Sequence, residues 1–464
     1  MSILSSTGIG SGIDINGLVS QLITAEGKPQ FNAITNQQTT TQTRLSALGT
    51  LKSALSTFQT AMQQLKNGNL FKTVQAVSAN TAIFTVTAGA GAVVGTHRVE
   101  VTQLAKSQQS ITTTEYANSA ASVITGAGGV LNFSYAAGSA KTAFSVTIGT
   151  TNNTLAGVRD AINRAAGNNG VTASIINVNS TVTPGTTISK LVLTSKDTGG
   201  ANGFSVAVTG GDVGLNKLNT TTLANYSTVA ATDAMIKVDG LAATRSTNTI
   251  TDVLPGVTLN LQAAAVGTVV NLGVTLDTAA INKTITDFVT AYNNLHTATK
   301  GLGQHSATSG ASNGPLVGDS TLRHISQHLR QDASNLVTSA TSSYNSLAMI
   351  GITIDKNGVM ALDSAKLNKA LVSNPSAVSD VFSSANGVAT RLDARLTQYL
   401  QSGGALDMQL TSLGKKLNSL GVKREAVQMR LDTLQKSMRK QFVAMDQVVG
   451  QFKSTSAFLN KKYG

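Results

Sequence analysis

Four short patterns in this 464-residue chain have residue types and spacings that chemistry could use. His324 and His328, at i and i+4, share a helix face as paired zinc ligands do. Their surroundings, Arg323-His324-Ile325-Ser326-Gln327-His328-Leu329-Arg330, offer no adjacent Glu and put two arginines where they would repel a cation. An exposed helix face is the simpler reading. Ser412-Leu413-Gly414-Lys415 has the Ser-x-x-Lys spacing of acylating enzymes, but the companion motifs are missing and the tetrapeptide lies in a heptad run. Asp355 to Asp363 begins like a calcium loop, yet the twelfth position is Lys366 instead of a bidentate Glu. Asn357-Gly358, between Ile352-Thr353-Ile354 and Val359-Met360-Ala361-Leu362, reads as a type I′ hairpin turn. Gly8-Ile9-Gly10-Ser11-Gly12 suggests a dinucleotide loop, but no strand precedes it. Zero cysteines exclude a disulfide framework, a thiolate nucleophile and Cys-ligated zinc. No catalytic, cofactor-binding or metal residue is assigned, and the chain reads as a non-enzyme.

The elements around these patterns say more. Leu48, Leu51, Leu55, Phe58, Met62 and Leu65 recur at spacings of three and four. Val427, Leu431, Leu434, Met438, Met445, Val448 and Phe452 keep the same rhythm near the other end, with polar Gln441 in one seam position. Neither stripe can remain in water, so the two termini are expected to pair as a coiled coil and carry the middle as an insertion. Leu18, Leu22, Phe452, Phe458 and Leu459 lie beyond the expected paired length and are candidates for contact with another protein. Asp14 reads as a helix N-cap for Leu18, Val19 and Leu22, a run that Pro29 interrupts. Gln38 and Thr41 put polar groups into the next heptads, so residues 1–40 are expected to be flexible without a partner.

Between the helical ends the period changes to alternation. Ala82 to Thr87 and Thr96 to Thr102 read as half-buried strands. Ala143 to Ile148, Thr154 to Ala166, Val171 to Val178 and Leu191 to Thr194 read as strand, helix, strand, strand. Helical character returns at Asp277. The expected fold class is multidomain α+β: a discontinuous helical coiled-coil leg domain from both termini with inserted β-rich domains. The expected boundaries are a flexible segment 1–40; the leg, 41–75 plus 277–464, with 450–464 flexible; one β-rich domain, 76–140 plus 232–276; and a second, 141–231, with one helix.

Composition narrows the function classes. Only 12% of residues are charged, while 43 are Gly. Of the net charge of +13, much sits between Leu410 and Gly464, where eleven Lys and Arg face three acids. Those charges flank an apolar seam, as on the solvated face of a coiled coil. Single-strand nucleic-acid modules interleave basic residues with stacking aromatics, but aromatics are 4% here and Trp is absent. Nucleic-acid binding is therefore not expected. No run approaches the roughly 18 apolar residues of a membrane span, and Met1 to Gly8 lacks the basic and apolar regions of a cleaved signal. Neither membrane insertion nor classical secretion is expected.

The string Gly8-Ile9-Gly10-Ser11-Gly12-Ile13-Asp14-Ile15-Asn16-Gly17-Leu18-Val19 closely resembles the start of the flagellar filament cap (flagellar hook-associated protein 2) family. Three further stretches are similar to that family, in family order: Arg245 to Asp252 through Pro255-Gly256-Val257; Gly314 to Arg323; and Ile350-Gly351-Ile352 followed by Asp355 to Asp363. Ala143 to Thr198 resembles the β-rich insertion module of flagellins and their relatives, whereas Leu104 to Thr142 and Leu215 to Ala231 show no family pattern.

The resemblance implies helical termini that build a leg, β domains that form a plate, and a ring-shaped homo-oligomer, a pentamer or similar, closing the distal end of the filament. Flagellin emerging from the export channel would be held under the lid and polymerised with no cofactor. The implied partners are the chain itself, flagellin, the flagellar export apparatus and a dedicated export chaperone. The implied location is extracellular, at the filament tip, after secretion through the flagellar channel. On this view the outer apolar residues named above would touch flagellin or a neighbouring subunit. The alternative is an adhesin whose β domains bind host mucin or surface glycans. With no Trp, its sugar platforms would have to come from tyrosines such as Tyr116, Tyr135 and Tyr226.

Overall fold

The computed structural model describes residues 12, 14–306, 313–338 and 344–463. The glycine string before Gly12, and Ile13, lie outside the described residues. The chain divides into a unit formed by residues 1–71 and 278–464 and a unit formed by residues 72–277.

In chain order, α1 (Ile15–Lys66) leads into the β-rich unit. There β1 (Val74–Ser78), β2 (Phe84–Ala88), β3 (Gly95–Gln103), β4 (Gln109–Thr112), β5 (Gly129–Tyr135) and β6 (Phe144–Ile148) come first. Next are α2 (Leu155–Arg164), β7 (Val171–Asn179), β8 (Thr187–Ser195), β9 (Phe204–Gly210) and the single turn α3 (Val213–Asn216). The unit closes with β10 (Tyr226–Val229), β11 (Ala234–Val238), β12 (Leu241–Arg245), β13 (Thr249–Leu254), β14 (Val257–Leu261) and β15 (Val270–Leu276). The helical unit resumes with α4 (Thr278–Gly303), α5 (Ser320–Ser334), the hairpin β16 (Ile352–Ile354) and β17 (Met360–Leu362), α6 (Ser364–Ser373), α7 (Pro375–Ser383), α8 (Val388–Leu400) and α9 (Ala405–Tyr463).

In the helical unit α1 and α9 run antiparallel. Glu26 pairs with Arg430 at 3.1 Å, Arg424 covers the Phe31 ring at 5.9 Å, and Lys52 reaches Asp407 at 3.9 Å. A proline inside a helix costs about 3 kcal/mol, which is why Pro29 read as an interruption. The structure corrects that expectation: α1 continues through it. Packing supplies what the proline removes. Gly27 is buried against Leu431, so close that a Cβ there would stand 2.5 Å from the Leu431 Cδ1. Residues 15–40 and 450–463, expected to be flexible, are helical along with the rest of α1 and α9.

The apolar stripe Leu48 to Leu65 is fully buried, but α9's stripe is not what covers it. With Lys52 level with Asp407, Leu55 lies near the start of α9, far from Leu434. The stripe packs against α4 and α8. Phe58 stacks on Phe288 at 6.0 Å and meets the edge of Tyr292 at 6.0 Å, while Phe382 packs edge-on to Phe288 and stacks on Phe71. Lys66 (2.8 Å) and Gln59 (3.1 Å) satisfy the largely buried carboxylate of Asp393 on α8. The pairing of Leu48–Leu65 with Val427–Val448 is thus replaced by a helix cluster, because sequence spacing marks an apolar face without naming its partner.

The β-rich unit holds two cores. In the first, the five-stranded sheet β1-β15-β3-β11-β12 and the three-stranded sheet β13-β14-β2 enclose Phe84, Val99, Val101, Ile236, Leu259 and Leu272. In the second, the sheets β10-β4-β8-β7 and β6-β5-β9 with α2 enclose Phe133, Phe144, Ile162, Leu191, Val206 and Tyr226. The expected boundary at 140/141 is corrected: β4 and β5 belong to the second core, with Tyr116, Val123, Ile124, Leu131 and Phe133. Strand β5 sits between β6 and β9, a non-local pairing that no local pattern announces.

The two β modules are clasped at their junction. Asn248 accepts from the Ala105 N–H at 2.8 Å and donates to its carbonyl at 3.0 Å. Thr198 donates to the Ser246 carbonyl at 2.7 Å, and Gly200 N–H donates to Asp233 at 2.7 Å. Between them Gly199 has φ 103° and no room for a Cβ, which would lie 2.6 Å from that of Ser246; glycine alone suits both constraints.

Candidate assembly interface

The longest uncovered element is the C-terminal stretch of α9. Asp14 caps α1 by accepting from Gly17 N–H at 3.0 Å, so α1 has a defined start. The ion pairs Glu26–Arg430 and Lys52–Asp407 set that start level with about residue 442 of α9. Beyond Asp446, which is buried, α9 continues as helix to Tyr463, and from Gln451 onward every described side chain is exposed.

That stretch is not polar. Phe452 is 70% exposed, Phe458 62% and Tyr463 77%, with Leu459 and Val448 about half exposed. Lys462 stands over the Phe458 ring at 5.8 Å and the Tyr463 ring at 5.5 Å, its charge against their π faces. A single isolated apolar residue on a surface needs no explanation, but several exposed apolar side chains along one bare helix make it a candidate contact surface. The arrangement offers exposed apolar side chains interspersed with Lys453, Lys461 and Lys462.

Comparisons with known proteins identify the molecule. The flagellar hook-associated protein 2 N-terminus model matches residues 11–108, and the C-terminus model of the same family matches residues 231–454. The chain belongs to the flagellar hook-associated protein 2 family. It is 35% identical to flagellar hook-associated protein 2 of Escherichia coli K12, over 100% of this chain and 98% of that protein. It is 32% identical to the A-type flagellar hook-associated protein 2 of Pseudomonas aeruginosa, over 97% of this chain and 95% of that one. The crystal structure of the D1-D2-D3 domains of the E. coli flagellar cap protein FliD superposes with a TM-score of 0.60 at 35% identity, covering 79% of this chain and 99% of that one. The fold is the α+β architecture of that protein, with helical termini and inserted β-rich modules.

Within this family member the sequence-derived positions separate into three groups. Leu48, Leu51, Leu55, Phe58, Met62 and Leu65 are core. Of the second stripe only Leu431 is fully buried; Val427 and Met438 are half-buried, while Leu434, Met445 and Val448 are exposed. Among the outer residues Leu22, Phe452, Phe458 and Leu459 are exposed and Leu18 is half-buried. Sequence reasoning placed Val19 in an amphipathic turn and Ile34 and Thr41 in a heptad-like run, but missed Ile15 and Gly27 and did not join the five as the buried face of α1 in its first half. Their spacing of four, eight, seven and seven was visible, but Pro29 discouraged reading one helix through it. Thr41 is tolerated in that seam because its hydroxyl donates to the Gln37 carbonyl at 2.7 Å.

The His324 and His328 rings are 5.9 Å apart, and His328 Nδ1 is 2.8 Å from the Tyr399 hydroxyl. Among the described residues no group of three His, Asp or Glu is placed to hold a metal ion, and no helix is long and apolar enough to cross a membrane. The Asn357-Gly358 turn is not type I′. Its Asn357 does not have positive φ, and Gly358 alone is left-handed, at φ 87°, with its N–H donating to the Asp355 carbonyl at 3.0 Å. The two-residue turn with positive φ at both positions is Asp239-Gly240, between β11 and β12. Tyr116 and Tyr226 are buried in the second β core, so neither can serve as a sugar platform. Burial pushes the Tyr116 phenol up to about 12 and raises Tyr226 further.

Proposed function

We propose that this chain caps the distal end of the bacterial flagellar filament, retaining exported flagellin and promoting its polymerisation there. The observation that carries this reading is full-length kinship: 35% identity over the whole chain with flagellar hook-associated protein 2 of E. coli. The solved flagellar cap protein with the same helical and β-rich organisation supports it. The role is structural, not catalytic. The working form is a ring-shaped homo-oligomer, its location is extracellular at the filament tip, and its route there is the flagellar export channel with a dedicated chaperone.

The leg of the cap is the helical unit, with Leu48, Leu51, Leu55, Phe58, Met62 and Leu65 as its core and Leu431 fixing α9 on α1. The contacts with flagellin or a neighbouring subunit are Leu22, Phe452, Phe458 and Leu459, with Leu18 at their margin. Phe452, Phe458 and Leu459 are exposed on the part of α9 that continues past the start of α1, whereas Leu22 is exposed within the paired length, which corrects the expectation that it lies beyond it. An antiparallel helix pair suits such work because its free end can settle into changing gaps without disturbing a core several turns away.

The test is a strain lacking its own copy of this gene, scored for polymerised flagellin and for monomer in the medium. Loss of filaments with monomer accumulating, reversed by the intact chain, is expected. Normal filaments in the deletion strain would reject the cap function.

A further inference from the structure

Away from the helix termini, the helical unit carries a groove whose charge is one-sided. Its floor is α4, with Tyr292, His296, Thr299 and Lys300; one wall is α5; the other is the Asn357-Gly358 turn. Two adjoining depressions of about 400 and 670 Å³ share His296, Arg323 and Ser326, so they form one continuous channel. The turn is pinned there. Asn293 on α4 accepts from Met360 N–H and donates to the Met360 carbonyl, both at 2.8 Å, and a Cβ at Gly358 would lie 2.8 Å from the His296 ring.

Arg323 and Arg330 are seven residues apart on α5 and therefore on one face, flanking the buried stripe Leu322, Ile325 and Leu329. Both line the channel, as does Lys300 from α4. Among the described residues none of these three cations has an ion-pair partner. Asp319, the single acid among the described residues that line it, is already taken: it pairs with Arg44 at 3.2 Å and caps α5 through the Leu322 N–H at 3.1 Å. Asp355, beside the turn, accepts from Val359 N–H at 2.8 Å and is flanked by Lys356. Gln327 and Gln331 add amide donors to the same wall.

We propose that this channel is a docking groove for a carboxylate-rich peptide segment of a partner protein, with Arg323, Arg330 and Lys300 as its charge contacts. Charge complementarity selects the occupant: an Arg fork matches a carboxylate in two parallel hydrogen bonds, and the amide-lined wall suits a peptide backbone. A second copy of this chain is the poorer occupant, since the chain has a net charge of +13 and, among the described residues, ten of its 22 acids already pair with an internal Lys or Arg. The groove uses residues outside the bare end of α9 and does not depend on the cap reading.

The test uses the full chain and a fluorescein-labelled decaglutamate peptide, followed by anisotropy at about 50 mM salt, where surface charge is weakly screened. R323E/R330E and, separately, R330Q change exposed side chains, and an unchanged circular dichroism spectrum checks that each folds. R323E/R330E should weaken binding by about tenfold or more and R330Q by about threefold, while K436E/R439E/K440E on α9 should change it by less than about threefold. Equal binding by R323E/R330E and the natural chain would overturn the proposal. So would loss of binding in the α9 variant alone, which would locate the peptide on the basic helix. Full displacement by millimolar inorganic phosphate would indicate a small-anion site instead, and a changed oligomeric state of R323E/R330E in sedimentation would indicate a second copy as occupant. Either result would also reject it.

Discussion

Two helical stretches with nearly the same sequence rhythm meet opposite fates in this protein. Residues 48–65 of α1 carry six large apolar side chains that are all buried against α4 and α8. Residues 445–459 of α9 carry Met445, Val448, Phe452, Phe458 and Leu459, all exposed. Helical amphipathicity measures only that a face is apolar; whether it becomes core or contact surface depends on how many other helices reach it. In the first stretch three helices converge, and in the second the partner helix has already ended.

The largest effect belongs to the buried stretch. Phe58→Ala removes a ring packed on Phe288 and Tyr292 and should destabilise the helical unit by about 3–5 kcal/mol, read as a lowered denaturation midpoint. An unchanged midpoint would mean that these helices do not form one core.

A comparable contrast between buried and bare holds among tyrosines, since Tyr116 and Tyr226 are core while Tyr463 is exposed. A phenol whose folded pKa is raised stabilises fully below its unfolded value near 10; that contribution is lost as pH rises toward the folded value. Each of the two phenols should therefore cost the second β module on the order of 2 kcal/mol between about pH 10 and 12, and Tyr116→Phe should remove about half of the loss. Thermal melts at stepped pH would decide it, with identical alkaline slopes for the two chains as the adverse result.

The boundary between the two fates can be located on α9 itself. Leu431→Ala removes a side chain set against Gly27 and should cost roughly 2 kcal/mol, whereas Leu434→Ala, at a position 37% exposed, should cost less than about 1 kcal/mol. Equal losses would break the assigned α1–α9 register. At the far end Phe452→Ser with Phe458→Ser should leave the midpoint within about 0.5 kcal/mol. A clear drop there would place those rings in the core.

How much of this was legible in the sequence follows the same division. The stripe Leu48 to Leu65, the strands near Phe84 and Val99, the helix beginning at Leu155 and the return to helix near Thr278 were readable because each is announced by a local period. The α1–α9 register was not, since a heptad can slide along its partner until contacts such as Gly27 on Leu431 fix it. Pro29 concealed the first half of α1 because a local penalty is visible in sequence and the packing that outweighs it is not. Strand β5 was missed between Leu104 and Thr142 because both of its neighbours, β6 and β9, come later in the chain. The outer residues Phe452, Phe458 and Leu459 were singled out for lying beyond the paired length, and they are exposed because their partner helix ends first. The cations of the α4–α5 groove were read only as neighbours hostile to a metal, since their shared face with Lys300 arises from tertiary packing.

The measurement closest to the central claim is complementation of the deletion strain by the Phe452→Ser, Phe458→Ser chain, scored for filaments and for flagellin monomer in the medium. If the bare end of α9 is the assembly contact, this chain should be exported in normal amounts and keep its folded spectrum, yet give few filaments and abundant free monomer. Filaments of normal number and length from that strain would contradict the account and move the contact elsewhere on the molecule.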